Sequence, residues 1–359
     1  MKNLLFFLLL MAGNLPAQDY KIYVSDAGNF NVPPWQILKY DSDGSNPEVF
    51  IADHLNWPQD ILFRENENIV LISNFGTNRI SKFEADSGRF LSEFAYGILG
   101  PTRMKIGPDS LLYVLQWGGN GKVKRFQLDG TFVDDFTSRG VDQSIGMDWD
   151  VDGNLYVSSY NLDHVRKFDP TGQDMGLFIQ SNLAGPTNIW FDDGGDLLVL
   201  DYDATSVKRF GPDGTYLGAF LTGLSKSEGV ALLPDGNILI GNGASNSVKQ
   251  FNQNGQYIDD LIPSGSGGLM TPNAVVIRLD KVTKVSNIET NDFIFFQNED
   301  GEIVVEEKDM DVLILLNPFG QIILSSNDNT LKTNGLPGGV YYIFAKKGGQ
   351  TFSAPIMVK

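Results

Sequence analysis

One register repeats six times along this 359-residue chain, and it limits the available folds more than any other feature. An aromatic residue closes a strand-like run at Tyr40, Phe83, Phe126, Phe168, Phe210 and Phe251, at separations of 43, 43, 42, 42 and 41 residues. A glycine follows four residues later at Gly44, Gly130, Gly172, Gly214 and Gly255, and five later at Gly88. A second register opens each unit at Pro58-Gln59-Asp60-Ile61, Pro101-Thr102-Arg103-Met104, Ser144-Ile145-Gly146-Met147, Pro186-Thr187-Asn188-Ile189, Ser227-Glu228-Gly229-Val230 and Pro272-Asn273-Ala274-Val275. Periods near 40 residues built of strands and turns signal propellers.

Residues 186–220 show the unit. Ile189-Trp190-Phe191 reads as a strand, Asp192-Asp193-Gly194-Gly195 as a turn and Leu197-Leu198-Val199-Leu200 as a second strand. Ser206 to Phe210, a Pro212-Asp213-Gly214 turn and Thr215 to Phe220 complete it. Four short antiparallel strands make one propeller blade. The chain opens with only three strands of a unit, at 21–24, 36–40 and 48–51, and residues 272–279 supply the fourth. The expected fold is therefore all-β, a six-bladed propeller over residues 19–280 whose ring is closed by a C-terminal strand, leaving no open edge.

The pattern Pro-x-x-Ile, Asp-Gly-Asn, Leu-Tyr-Val, Val-x-Lys-Phe and x-x-Gly, fullest at residues 144–172, resembles the NHL repeat family. The resemblance implies the propeller but leaves function open, because propellers of this kind include binding modules for proteins and RNA as well as lyases and lactonases.

Met1-Lys2-Asn3 and the apolar run from Leu4 to Ala12 read as a signal peptide over residues 1–17, removed near Gln18. No other segment approaches the ~20 apolar residues of a membrane helix. The chain has no Cys, which excludes thiol chemistry, and its formal net charge of −17 opposes nucleic-acid phosphates and anionic lipid. Export by the Sec route to the periplasm, then secretion or attachment at the outer cell surface, is the expected itinerary.

Beyond a polar link at 281–284, residues 285–359 hold short apolar runs at 293–296, 302–305, 312–316, 321–324 and 340–344 between Gly and Asn turns, as in a small Ig-like β-sandwich. The stretches Asn317-Pro318-Phe319-Gly320-Gln321 and Leu336-Pro337-Gly338-Gly339-Val340-Tyr341-Tyr342-Ile343, with the ending Ile356-Met357-Val358-Lys359, resemble the C-terminal sorting domain of type IX secretion in Bacteroidetes. The Tyr-Pro-Asn-Pro opening common in that family is missing. The resemblance implies that the secretion machinery is a partner.

Chemistry is expected at one mouth of the ring, where first strands begin and second strands end. That face collects Asp26, Asp60, Asn74, Arg103, Trp117, Tyr160, Asn188, Asp201, Tyr202 and Asn242, with Phe75 beside them. Convergent polar groups with aromatic walls favour a binding site for an extracellular protein, peptide or glycan over catalysis, with no cofactor. The alternative is a metal-dependent lactonase or lyase like gluconolactonases and regucalcin, with Asp60, Asn188, Asp201 and Asn242 as oxygen ligands to a divalent cation such as calcium. The two histidines, His54 and His164, lie far apart in the repeat, which excludes a His-rich zinc site. Asp41-Ser42-Asp43-Gly44 and Asp150-Val151-Asp152-Gly153 are turns rather than EF-hand loops, since Ala52 and Asn161 stand where the bidentate Glu would be.

Overall fold

The computed structural model describes residues 20–279 except 193, and 295–298, 302–305, 310–316, 322–333, 336, 339–347 and 350–358. The leader at 1–17, the link at 281–284, the stretch at 317–321, Phe293, Ile294 and Lys359 lie outside those residues. The chain divides into two compact units, Met1–Asp280 and Lys281–Lys359.

The described part of the first unit is built from six four-stranded antiparallel sheets. Their inner strands are Pro58–Arg64, Pro101–Ile106, Ser144–Trp149, Pro186–Phe191, Ser227–Leu232 and Pro272–Leu279. Each packs on the next in this order and the last packs on the first, so the sheets close a ring. One sheet joins both ends of the unit, in the order Pro272–Leu279, Tyr20–Asp26, Gln36–Tyr40, Glu48–Ile51. Tyr20 lies opposite Leu279 and Val24 opposite Val275.

The second strand of a sheet is covered on both faces by its neighbours, so Leu197–Leu200 reads as a continuous apolar run, and the strand Leu197–Asp201 is buried throughout. The core is accordingly divided into wedges between sheets. Tyr113, Leu115, Met147, Val157 and Phe168 fill the wedge between the sheets that begin at Pro101 and Ser144. Ile22, Val24, Tyr40, Leu239, Val248 and Val275 fill the one across the closure. The six repeat aromatics are all buried.

The repeat glycines have a double cause. Gly130 and Gly214 hold φ of +95° and +81°, the left-handed region that favours glycine. A Cβ there would also overlap the carbonyl oxygen of Phe94 or Phe178 in the preceding sheet, and one at Gly44 would overlap that of Leu261 across the closure.

The second unit shows two antiparallel sheets. One orders Phe295–Gln297, Glu302–Val305 and Thr330–Lys332; the other orders Ile322–Ser326, Val312–Leu316, Gly339–Lys347 and Gln350–Val358. Alternation directs Ile303, Val305, Leu313, Leu315, Ile343 and Ala345 into one apolar core. Thr330–Lys332 is absent from the sequence-based assignment, because a strand with a single apolar residue, Leu331, carries no periodic signal. No helix among the described residues is long and apolar enough to cross a membrane.

Candidate binding mouth and axial network

Pairing of the inner strands with the second strands is interrupted near the start of the inner strands. The register shifts between Pro101 and Met104, Ser144 and Met147, Pro186 and Ile189, and Ser227 and Val230. Residues left out of a ladder in this way are re-aimed, and here they include Arg103, Asn188 and Glu228.

The residue ending each second strand turns back onto its own sheet. Asn74 Oδ1 accepts from Asn56 N (3.0 Å), Asp201 Oδ1 from Ala184 N (2.8 Å), Asn242 Oδ1 from Ser225 N (2.7 Å) and Asp26 Oδ2 from Met270 N (3.2 Å). Each donor lies two residues before an inner strand, so these four side chains fasten the entry loops. Their remaining polar atoms are also engaged. Asp26 accepts from Gly28 N, Thr271 N and Gln36 Nε2. Asn74 donates to Ser81 Oγ, Asp201 accepts from Lys208 Nζ (2.6 Å), and Asn242 takes Ser227 Oγ and donates to Ser245 Oγ. Burial raises the carboxyl pKa of Asp201 despite Lys208. Asp26, Asn74, Asp201 and Asn242 thus stand at the expected mouth as loop fasteners.

In four of the six sheets the next residue along is aromatic: Phe75, Trp117, Tyr160 and Tyr202. Its backbone N–H donates to the carbonyl just before the inner strand, as from Trp117 to Gly100 (2.8 Å), Tyr160 to Gln143 (3.1 Å) and Tyr202 to Gly185 (2.9 Å). The rings therefore project at one level and touch in series. Centroids are 5.1 Å apart from Phe30 to Trp57, 4.4 Å from Trp57 to Phe75 and 5.9 Å from Phe75 to Trp117. The series continues at 5.5 Å to Tyr160 and 5.8 Å to Tyr202. All six rings are half-buried. Two glycines make room, since a Cβ at Gly100 would press on Phe75 and one at Gly185 on Tyr160. Lys226 Nζ lies 4.9 Å over Tyr202 and pairs with Asp203, which also accepts from Tyr160 OH (3.0 Å). Burial pushes the Tyr160 and Tyr202 hydroxyls up to about 12, so both stay neutral donors at physiological pH. Loops of the same mouth expose Val32, Leu99, Leu162 and Met270.

Beneath the arc, the axis is crossed by Arg103. The guanidinium, almost wholly buried, donates from Nη1 to Gln59 O and from Nη2 to Asn273 O (2.6 Å), Glu228 O (3.4 Å) and Glu228 Oε1 (3.1 Å). Asp60 Oδ1 lies 4.0 Å from Nη1, while Asp60 Oδ2 accepts from Met104 N (2.7 Å). Asn188 Nδ2 adds a bond to Glu228 O (3.2 Å). Burial drives the Glu228 carboxyl up to about 7 and Asp60 up as well, with Arg103 opposing both. With its amide oriented to satisfy both ends, Gln59 donates to Glu228 Oε1 (2.6 Å) and accepts from Trp57 Nε1 (2.9 Å) and Asn273 Nδ2 (3.0 Å). Trp57 therefore links the arc to the axial network.

No family model matches the chain, and no curated protein matches it in sequence. Solved structures do match. A chain of the nidogen/laminin complex is similar at TM-score 0.58 and 16% identity, over 73% of this chain and 99% of its own. A Bacteroides caccae protein of unknown function is similar at TM-score 0.56 and 15% identity, over 73% and 100%. The fold is that of a β-propeller.

Of the expected site residues, the propeller brings Trp117, Tyr160 and Tyr202 into one aromatic arc and Asp60, Arg103 and Asn188 to its axis. It turns Asp26, Asn74, Asp201 and Asn242 onto their own loops. Sequence reasoning missed Phe30, Trp57 and Glu228. Phe30 and Trp57 lie outside the aromatic register, whereas Glu228 left a signal: it is the one acid at a position held elsewhere by Gln59, Thr102, Ile145, Thr187 and Asn273. Among the described residues, no group of three or more His, Cys, Asp or Glu could hold a metal ion.

Proposed function

We propose that this chain is an exported binding protein, a six-bladed propeller of NHL type that docks a protein, peptide or glycan on the aromatic arc from Phe30 to Tyr202. The continuity of six half-buried rings at one mouth carries the reading. Aromatic side chains supply large, rigid contact area, and exposed Val32, Leu99, Leu162 and Met270 extend it into an apolar patch of the kind that marks interaction sites. The aliphatic extension favours a protein or peptide over a glycan.

The lactonase alternative has less support. It needs Asp60, Asn188, Asp201 and Asn242 on one cation, but Asp201 is held by Ala184 N and Lys208, and Asn242 by Ser225, Ser227 and Ser245. Export rests on the basic and apolar start of the sequence, and type IX secretion on the tail motifs. On this reading the second unit is an Ig-like sorting domain, and the protein ends outside a Bacteroidetes cell or on its surface.

The test is a screen of the purified protein on peptide and glycan arrays. Trp117→Ala is expected to weaken a true ligand by roughly 1–3 kcal/mol, as loss of an interface anchor does, while leaving the unfolding midpoint in place. Hits indifferent to Trp117→Ala and Tyr202→Ala would remove the arc as the docking site.

A further inference from the structure

The propeller has a second concavity, on the other side of the Arg103 crossing. It has a volume of about 290 Å³, room for about ten groups of water size. Its walls are apolar, from Met104, Met147, Ile189, Trp190, Val230 and Val275, and Leu232, which is 53% exposed, stands at its entrance. These residues lie toward the ends of the inner strands, so the cavity opens at the mouth opposite the aromatic arc.

Its floor is selective. Four polar side chains line it: Asp60, Arg103, Lys105 and Asn188. Arg103 has both terminal nitrogens engaged by Gln59, Glu228 and Asn273, and its Nε–H, buried out of reach of a ligand, meets no acceptor. Lys105 is held by Asp148 Oδ1 at 2.8 Å. The terminal donors of Arg103 are therefore occupied, and the charge of Lys105 is offset by Asp148. Two acceptors remain without a hydrogen bond from the guanidinium, Asp60 Oδ1 at 4.0 Å from it and Asn188 Oδ1, whose amide nitrogen already donates to Glu228 O. Three carboxyl groups, Asp60, Glu228 and Asp148, stand around two cations, Arg103 and Lys105, so the excess favours a cation over an anion.

We propose that this axial cavity is a second binding site, for a small organic ammonium ion with an apolar or aromatic body. The ammonium donates to Asp60 Oδ1 and Asn188 Oδ1, and the body fills the shaft against Met104, Met147 and Trp190. An ammonium on Asp60 forms a charge-assisted hydrogen bond out of bulk water, stronger than a neutral bond, whereas a carboxylate ligand is set against the excess of carboxyl groups around the floor.

The experiment titrates the purified protein with phenethylamine, phenylpropanol and hydrocinnamate, which differ in head group, by calorimetry and by the NMR signal of the Trp190 indole. Phenethylamine is expected to bind roughly tenfold or more tightly than either competitor. Asp60→Asn should lose that preference, and Leu232→Trp, which narrows the entrance without touching the floor, should lose binding. Trp117→Ala should leave phenethylamine affinity unchanged, which separates this site from the aromatic arc. Hydrocinnamate binding as tightly as the amine overturns the proposal. So does amine affinity that survives Leu232→Trp, a result that stands even if Asp60→Asn fails to fold.

Discussion

Replacing Arg103 with Met is the most informative perturbation of this ring, because methionine keeps an apolar stem and removes only the guanidinium. The native side chain ties the sheet that begins at Pro101 to carbonyl or carboxylate oxygens of Gln59, Glu228 and Asn273, which stand on three other sheets. Removing one partner of a buried ion pair costs about 3–5 kcal/mol, and each carbonyl left without a donor adds about 1 kcal/mol or more. Part of this is recoverable, since Glu228 can take up a proton, at about 1.4 kcal/mol per pKa unit. The expected loss is about 4–6 kcal/mol at pH 8 and about 2 kcal/mol less at pH 5.5, out of a typical total near 5–15 kcal/mol. Urea unfolding followed by tryptophan fluorescence at both pH values measures it. A loss below about 1 kcal/mol at both, or an equal loss at both, would refute the view that this guanidinium neutralises the axial carboxylates.

Four further outcomes are expected. In the native protein Glu228 has its pKa raised from 4.5 to about 7, so the folded state holds the proton more tightly than the unfolded chain. Its contribution to stability is therefore favourable at low pH and declines as pH rises from about 4.5 through 7, by on the order of 3 kcal/mol; Glu228→Gln should flatten that slope in pH-dependent unfolding. Gly130→Ala, which meets both the positive φ and the Phe94 carbonyl, should cost more than about 2 kcal/mol, whereas Gly97→Ala, with open space around its Cβ, should show only the backbone penalty of about 1 kcal/mol in the same assay. Deleting 285–359 should leave cooperative unfolding of the propeller intact, while deleting 271–359 exposes the edge of Tyr20–Asp26 and should cause aggregation by light scattering; equal solubility counts against closure by the last strand. After chelation, calcium, magnesium or zinc should leave the melting temperature unchanged. A rise of several degrees that Asp60→Asn abolishes would instead establish an axial cation.

The ring was legible because its period is written in residues whose burial does not depend on detail. Tyr40, Phe83 and their four counterparts each fill a wedge, and residues 272–279 stand out as an inner strand without its sheet. The arc was legible in part, since Phe75, Trp117, Tyr160 and Tyr202 occupy one position of the repeat. What the sequence hides is side-chain direction at a strand end. Asp201 and Tyr202 are adjacent, yet one turns onto Ala184 N and the other joins the ring series through Tyr160. Asp60 and Glu228 belong to distant repeats and meet only because both reach the axis, so no local pattern announces their shared guanidinium.

Tyr20 and Leu279 face each other as the two arms of a hairpin would, which makes the position of the chain break around the ring arbitrary. Joining residue 279 to residue 20 by a short turn and opening the chain between two other sheets would keep every wedge and every glycine-to-carbonyl contact. Such a circular permutant should fold to the same ring, and the order in which the sheets leave the ribosome would then be a free variable. The ring, unlike most folds, lets one ask whether the last-made strand or the first-made sheet limits how quickly it closes.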